Sequence, residues 1–179
     1  MTDDDHELVA LARKGNRSAF QHLLERHYDT AYRVAYRYTR SVEDAEDITQ
    51  EICLGLARKL GSFRGQSRFS TWFYRVVVNA YRDHGRKQIS AQSLQANYAM
   101  YREMAEADQD HDSARQDWLS RAIAELDPRL RETAILVLSE DLNHADAAIA
   151  LECAESTISW RMHEVRKKLK ALVETSDDG

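Results

Sequence analysis

The sequence predicts an all-α protein built as two small helical domains joined by a flexible linker, the second of them a helix-turn-helix domain. Three observations carry this. The 179 residues include only six Gly and one Pro, with Leu, Ala, Arg and Glu abundant, and no alternating Val/Thr/Ile run suggests a strand. Apolar residues recur at three- and four-residue steps in several segments. Between two such groups lies "SAQSLQANYAMYREMAEADQDHDSARQ", polar and acid-rich, whose last third has almost no apolar residue to bury. The expected boundaries are 1–90 for the first domain, 91–115 for the linker and 116–179 for the second. Tyr98, Tyr101 and Met104 leave open a short docked helix within the linker.

In the first domain "SVEDAEDITQEICLGLARKLGSF" opens with Ser41 and Asp44 at capping-box spacing, and Ala45, Ile48, Ile52, Leu56 and Leu60 step along one face. Glu43, Asp44, Glu46, Asp47 and Glu51 crowd the first turns and Arg58 and Lys59 the last, as the helix dipole favours. On spacing alone this is a well-behaved solvated face. "SFRGQSR" reads as a loop, and Ser70 is the expected cap of a helix over about 71–86. Trp72, Phe73, Val76, Val77 and Ala80 share its core side. Arg75, Arg82 and Arg86 lie opposite, with Arg64 and Arg68 from the loop and Tyr74 and Tyr81 at the border. Cations beside aromatic platforms suit single-stranded nucleic acid; a merely solvated basic face is the other reading.

In the second domain, Asp127 and Pro128 mark a helix start. "NHADAAIAL" follows, with Asn143 and Asp146 at capping-box spacing, then a break at "ECAES" and the longer helix "TISWRMHEVRKKLKALV". Short helix, tight turn and long helix form a helix-turn-helix pattern. Ile158, Met162, Val165, Leu169 and Leu172 make its buried stripe, which turns Ser156, Ser159, Trp160, His163, Arg166, Lys167 and Lys170 outward, where they can meet phosphates and base edges.

Composition excludes other classes. The net charge of −5 argues against indiscriminate DNA binding and throws the local basic patch into relief. No stretch of 18 apolar residues suggests membrane insertion, so a soluble cytoplasmic protein is expected. Cys53 and Cys153 have no metal-ligand spacing and are expected as buried reduced thiols. No phosphate-cradling Gly loop, nucleophile with its base, or metal cluster is present, so no enzyme activity, catalytic residue, metal or cofactor is expected.

Taken together, "DAEDITQEICLGLARKLGSFRGQSRFSTWFYRVVVNAYRDHGRK" and "LDPRLRETAILV…DLNHADAAIALECAESTISWRMHEVRKKLK" resemble an extracytoplasmic-function (ECF) sigma factor, a two-domain bacterial transcription initiation factor, over about residues 8–172 apart from the linker. The resemblance implies core RNA polymerase (beta-prime clamp helices and beta flap) and promoter DNA as partners, with an anti-sigma factor as a further one. It implies that Asp44, Asp47, Gln50 and Glu51 form the polymerase-binding patch. It implies that Phe63, Arg64, Gly65, Gln66 and Ser67 form the loop receiving an unstacked −10 base, and that Arg75, Asn79, Arg82 and Arg86 lie on the helix that reads and melts −10 DNA, where Trp72 also matches. Ser156, Thr157, Ser159, Trp160, Arg161, His163, Arg166 and Lys167 are the implied −35 contacts. The chain departs from the family pattern at Glu152, where Gly is common in the turn, at Ala154, which lacks a capping oxygen, at Ile149, often charged, and at Ser159 and Trp160. The −35 base preference therefore does not transfer from relatives. A conventional helix-turn-helix regulator and a protein-binding helical adaptor are the rival readings.

Overall fold

A computed structural model describes residues 3–94 and 114–177, with side chains over 5–90 and 118–173. The chain divides into two compact units, Met1–Asp108 and Gln109–Gly179. Every regular element among the described residues is helical. Most of the expected linker, including Tyr98, Tyr101 and Met104, where the sequence leaves open a docked helix, lies outside the described residues; 91–94 continue a helix of the first unit and 114–115 begin one of the second.

The first unit comprises α1 (Asp3–Arg13), α2 (Arg17–Thr39), α3 (Val42–Lys59), a 3-10 turn at Leu60–Ser62, and α4 (Phe69–Leu94). Local chemistry sets the boundaries. The Asn16 side chain accepts the Ala19 N–H to start α2, and Arg40, left-handed at φ 57°, ends it. The Ser41 hydroxyl accepts the Asp44 N–H at 3.2 Å to start α3. The predicted start of α4 needs correction: the helix opens two residues earlier, with the Arg68 carbonyl receiving the Trp72 N–H at 3.2 Å, so Ser70 lies within the first turn and not at the cap. Burying Phe69, 1% exposed, outweighs the hydroxyl cap that Ser70 would supply; a fully buried Phe brings about 1.5–3 kcal/mol against about 1 for a cap.

The predicted stripes are the core. Ala45, Ile48, Ile52, Leu56 and Leu60 from α3 and its 3-10 turn meet Trp72, Phe73, Val76, Val77 and Ala80 from α4, with Leu23, Val34 and Ala35 from α2. His27 of α2 is buried, its ring edge-on to Phe69 at 5.0 Å and tilted to Phe73 at 5.1 Å. Its Nε2 meets the Asp5 carboxylate of α1 at 3.0 Å. Both thiols are free and half-buried, less enclosed than anticipated, and burial raises the Cys53 thiol above its ordinary value.

The second unit comprises α5 (Ala114–Ala124), α6 (Pro128–Ala134) with a π-helical turn at Ile135–Ser139, α7 (His144–Leu151) and α8 (Glu155–Asp177). Asp127 caps α6, with Pro128 at its start, and Asn143 caps α7. The π-turn was not foreseen. It returns the chain through Leu142, whose N–H reaches the Leu136 carbonyl at 3.0 Å. Ile158, Met162 and Val165 are 0% exposed and anchor α8 against α6 and α7; Leu169, also on the predicted stripe, is half-buried.

Candidate nucleic-acid interface and docking face

On α3, the residues left outside the core stripe form an outward face. Asp47, Gln50 and Glu51 are exposed, and Leu54, one turn beyond, is 83% exposed. Sequence reasoning missed Leu54; the available signal was a large apolar residue lying off the Ala45–Ile48–Ile52–Leu56 register. Asp44 stands apart from this face. Its carboxylate meets His84 Nε2 at 3.0 Å and accepts from Gln88 at 2.8 Å, both on α4. Burial pushes the Asp44 carboxyl up, but His84, the Ser41 cap and Gln88 together outweigh it and leave the group below its ordinary value. Glu51 is also tied to α4, accepting from the Lys87 ammonium through both oxygens at 2.9 and 3.0 Å.

The segment between the 3-10 turn and α4 divides its residues sharply. The Phe63 side chain is 4% exposed, with its ring edge-on to Phe69 at 5.4 Å and to His6 of α1 at 5.1 Å. Phe63, implied as a DNA contact, is thus an anchor whose ring is unavailable. Gly65, at φ +71°, turns the chain in a conformation side chains resist, and Arg64, Gly65 and Gln66 are exposed, with Ser67 half-buried. Along α4, Arg75, Asn79 and Arg82 are half-buried on the flank opposite the core stripe, and Arg86 is exposed and paired with Asp83. Trp72 is buried at 3% exposure, its ring 5.5 Å from that of Phe63 and 5.3 Å from that of Phe69. Tyr81, predicted at the border as a stacking platform, already stacks on Tyr38 at 4.8 Å, so one of its faces is spent.

In the second unit α7 ends in Glu152, left-handed at φ 55°, and a turn through Cys153 and Ala154 leads into α8. The Ala154 carbonyl accepts the Thr157 and Ile158 N–H groups, so α8 starts with no side-chain oxygen at its cap and two residues earlier than predicted. Ser156, Ser159, Trp160, His163, Arg166 and Lys167 are exposed. Ser159 Oγ lies 3.0 Å from His144 Nδ1 at the start of α7. Thr157 and Arg161, implied as −35 contacts, are both half-buried, and Arg161 reaches toward the Thr133 hydroxyl of α6 at 3.4 Å. Together with Leu130, Trp160 and Glu164 they border a hollow of 380 Å³ between α6 and α8. Trp160 remains 61% exposed and Ile149 41%.

Residues 23–90, from within α2 to near the end of α4, match the family model described as Sigma-70 region 2. An ECF RNA polymerase sigma factor, SigM of Mycobacterium tuberculosis, is 32% identical over 171 residues, covering 94% of this chain and 84% of that one. The chain belongs to the ECF sigma factor family. The RNA polymerase sigma-H factor of Pseudomonas aeruginosa is 28% identical across 95% of this chain and 94% of its own length. Among solved structures, CnrH in complex with the cytosolic domain of CnrY matches 96% of this chain and 98% of that chain at 23% identity and a TM-score of 0.70. The sigma factor RpoE of Bartonella quintana, in complex with the anti-sigma factor NepR, matches 87% of this chain and 96% of that chain at 22% identity and a TM-score of 0.71; both share the fold. An ECF sigma factor serves transcription initiation, and the family is one of regulators without chemistry of their own. No group of three or more metal-ligating side chains occurs among the described residues, and no helix there is long and apolar enough to cross a membrane.

Proposed function

We propose that this ECF sigma factor docks on the beta-prime clamp helices of core polymerase through Asp47, Gln50, Glu51 and Leu54, working in the cytoplasm and leaving catalysis to the polymerase. Residues 1–90 then carry docking together with −10 recognition and melting, 116–179 carry −35 recognition and contact with the beta flap, and 91–115 link the two. The observation that carries this reading is the juxtaposition in the first unit: an exposed loop tip, Arg64–Gln66, leads directly into a helix flank bearing Arg75, Asn79 and Arg82. Unstacking a base costs a few kcal/mol, and stacking with polar capture returns about 1–3 kcal/mol per base. The balance must come from polymerase and −35 contacts, which is why an acidic sigma factor of this build binds promoters poorly alone. In the second unit Ser156, Ser159, Trp160, His163, Arg166 and Lys167 face duplex DNA, with Thr157 and Arg161 at the flank of that face. An anti-sigma factor is a further proposed partner, by analogy with the solved relative held by one.

Transcription with core polymerase on matched duplex and premelted −10 templates tests the assignment. The premelted bubble supplies the unpairing energy in advance, so it rescues Asn79→Ala or Gln66→Ala but leaves Arg166→Ala as defective as on duplex. Equal rescue of both classes overturns this division of labour. Failure of the parent protein to direct core polymerase to any promoter overturns the whole assignment.

A further inference from the structure

The −10 loop is braced by a side chain from the far end of the first unit's sequence. Arg13, the last residue of α1, sends Nε to the Leu60 carbonyl at 3.0 Å. Its Nη2 donates both to that oxygen and to the Phe63 carbonyl, some 50 residues away in sequence. Leu60 and Phe63 bracket the point where the chain leaves α3 and enters the loop, and the Phe63 N–H itself returns to the Leu60 carbonyl at 3.1 Å. Carbonyls at a helix C-terminus have no partner within the helix. One guanidinium, with its rigid fork of donors, meets the Leu60 carbonyl at the end of α3 and the Phe63 carbonyl beyond the 3-10 turn at once and fixes their relative direction. A second residue of α1 reinforces the arrangement. The His6 ring packs edge-on against Phe63, and two of its atoms lie 3.8 Å from where a side chain on Gly65 would begin.

We propose that Arg13, with His6 beside it, is a positioning residue for −10 recognition: it pre-orders the loop base so that the tip, Arg64–Gln66, stands ready to receive an unstacked base. The inference rests on the assignment of this loop as the base receiver. Its physical basis is that a loop already ordered before binding loses less conformational freedom when the base arrives. The tip stays exposed and unencumbered, while the chain just before it is held from three sides by Arg13, by His6 and by the Phe69–Trp72 start of α4.

The test uses holoenzyme assembled from core polymerase and the full chain, on a premelted promoter carrying either the cognate or a substituted −10 base. Arg13→Gln removes the fork; Arg13→Lys, which keeps the charge but reaches one carbonyl at a time, is the milder variant should Arg13→Gln fail to fold. The expected result is faster hydrogen exchange over residues 63–68 of the free protein. It is accompanied by a loss of base preference of roughly tenfold, the discrimination that one good hydrogen-bonded base contact provides, while affinity for core polymerase is unchanged. If Gln66→Ala loses the preference but the Arg13 variants keep it, Arg13 merely holds the fold together and the proposal fails. If Gln66→Ala also keeps it, the loop does not receive the base, and both the assignment and the proposal fall.

Discussion

Leu54 offers a direct test of where this sigma factor meets polymerase. At 83% exposure it contributes almost nothing to the core, and Ala is at least as good a helix former, so Leu54→Ala should change the stability of the first unit by no more than about 0.5 kcal/mol. If the Asp47–Gln50–Glu51 face docks, Leu54, one turn further along the same face, is covered with it. Covering a Leu side chain is worth about 1.5–3 kcal/mol, and truncation to Ala forfeits most of it. At about 1.4 kcal/mol per factor of ten, affinity for core polymerase should drop roughly 10- to 50-fold. A fluorescence titration of labelled protein against core enzyme measures this, with thermal unfolding as the control. Asp47→Lys with Glu51→Lys should weaken binding further by placing like charge where acids stood. A change of less than about twofold for Leu54→Ala, with stability intact, would show that this residue stays in solvent in the holoenzyme and that the docking face lies elsewhere.

Two further outcomes concern the scaffold. Glu152 holds a left-handed conformation that costs a residue bearing a side chain about 1–2 kcal/mol, of which Gly gives back about 0.5–1 through its freer unfolded chain. Glu152→Gly should therefore raise the melting temperature of the second unit by a few degrees, read from Trp118 and Trp160 emission; a lower value would mean that contacts of the Glu152 side chain outweigh the strain. In the first unit, burial holds the His27 imidazole below its ordinary 6.5, against the Asp5 carboxylate, which pulls it upward, while Arg26 adds to the lowering. The unfolded chain then binds the proton more readily, so stability owed to this group is complete above about pH 6.5 and is lost as pH falls from there through the folded value. His27→Gln should flatten the stability profile over that window, and an unchanged slope would remove His27 as its source.

What could be foreseen in the sequence followed the range of the interaction responsible. Caps at Ser41, Asp127 and Asn143 act within three residues, and the apolar stripes of α3, α4 and α8 act within one turn, so spacing alone revealed them. The exposed faces were located by subtraction. Misjudgements arose where a distant partner decided the matter. Phe63 sits in a polar loop, yet its ring belongs to an aromatic cluster completed by His6, Phe69 and Trp72. Phe69 draws the start of α4 ahead of Ser70 for the same reason. Arg161 and Thr157, implied by the resemblance alone, lie on the flank between the buried stripe and the outward residues of α8, and Arg161 turns toward Thr133 of α6. The Arg13 fork, across nearly 50 residues, left no local periodicity to find, and the π-turn at Ile135–Ser139 has no simple spacing rule.

The pairs that tie Asp44 to His84 and Gln88, and Glu51 to Lys87, constrain how such a protein can be recombined with its relatives. A chimaera joined between α3 and α4 would separate carboxylates from the partners that match them and leave Asp44, a half-buried acid, opposite whatever the donor supplies. Crossovers placed beyond 90 keep each acid with its own base. The smallest portion of this sigma factor that keeps these pairs together is therefore the block holding both α3 and α4, and neither helix is separately portable.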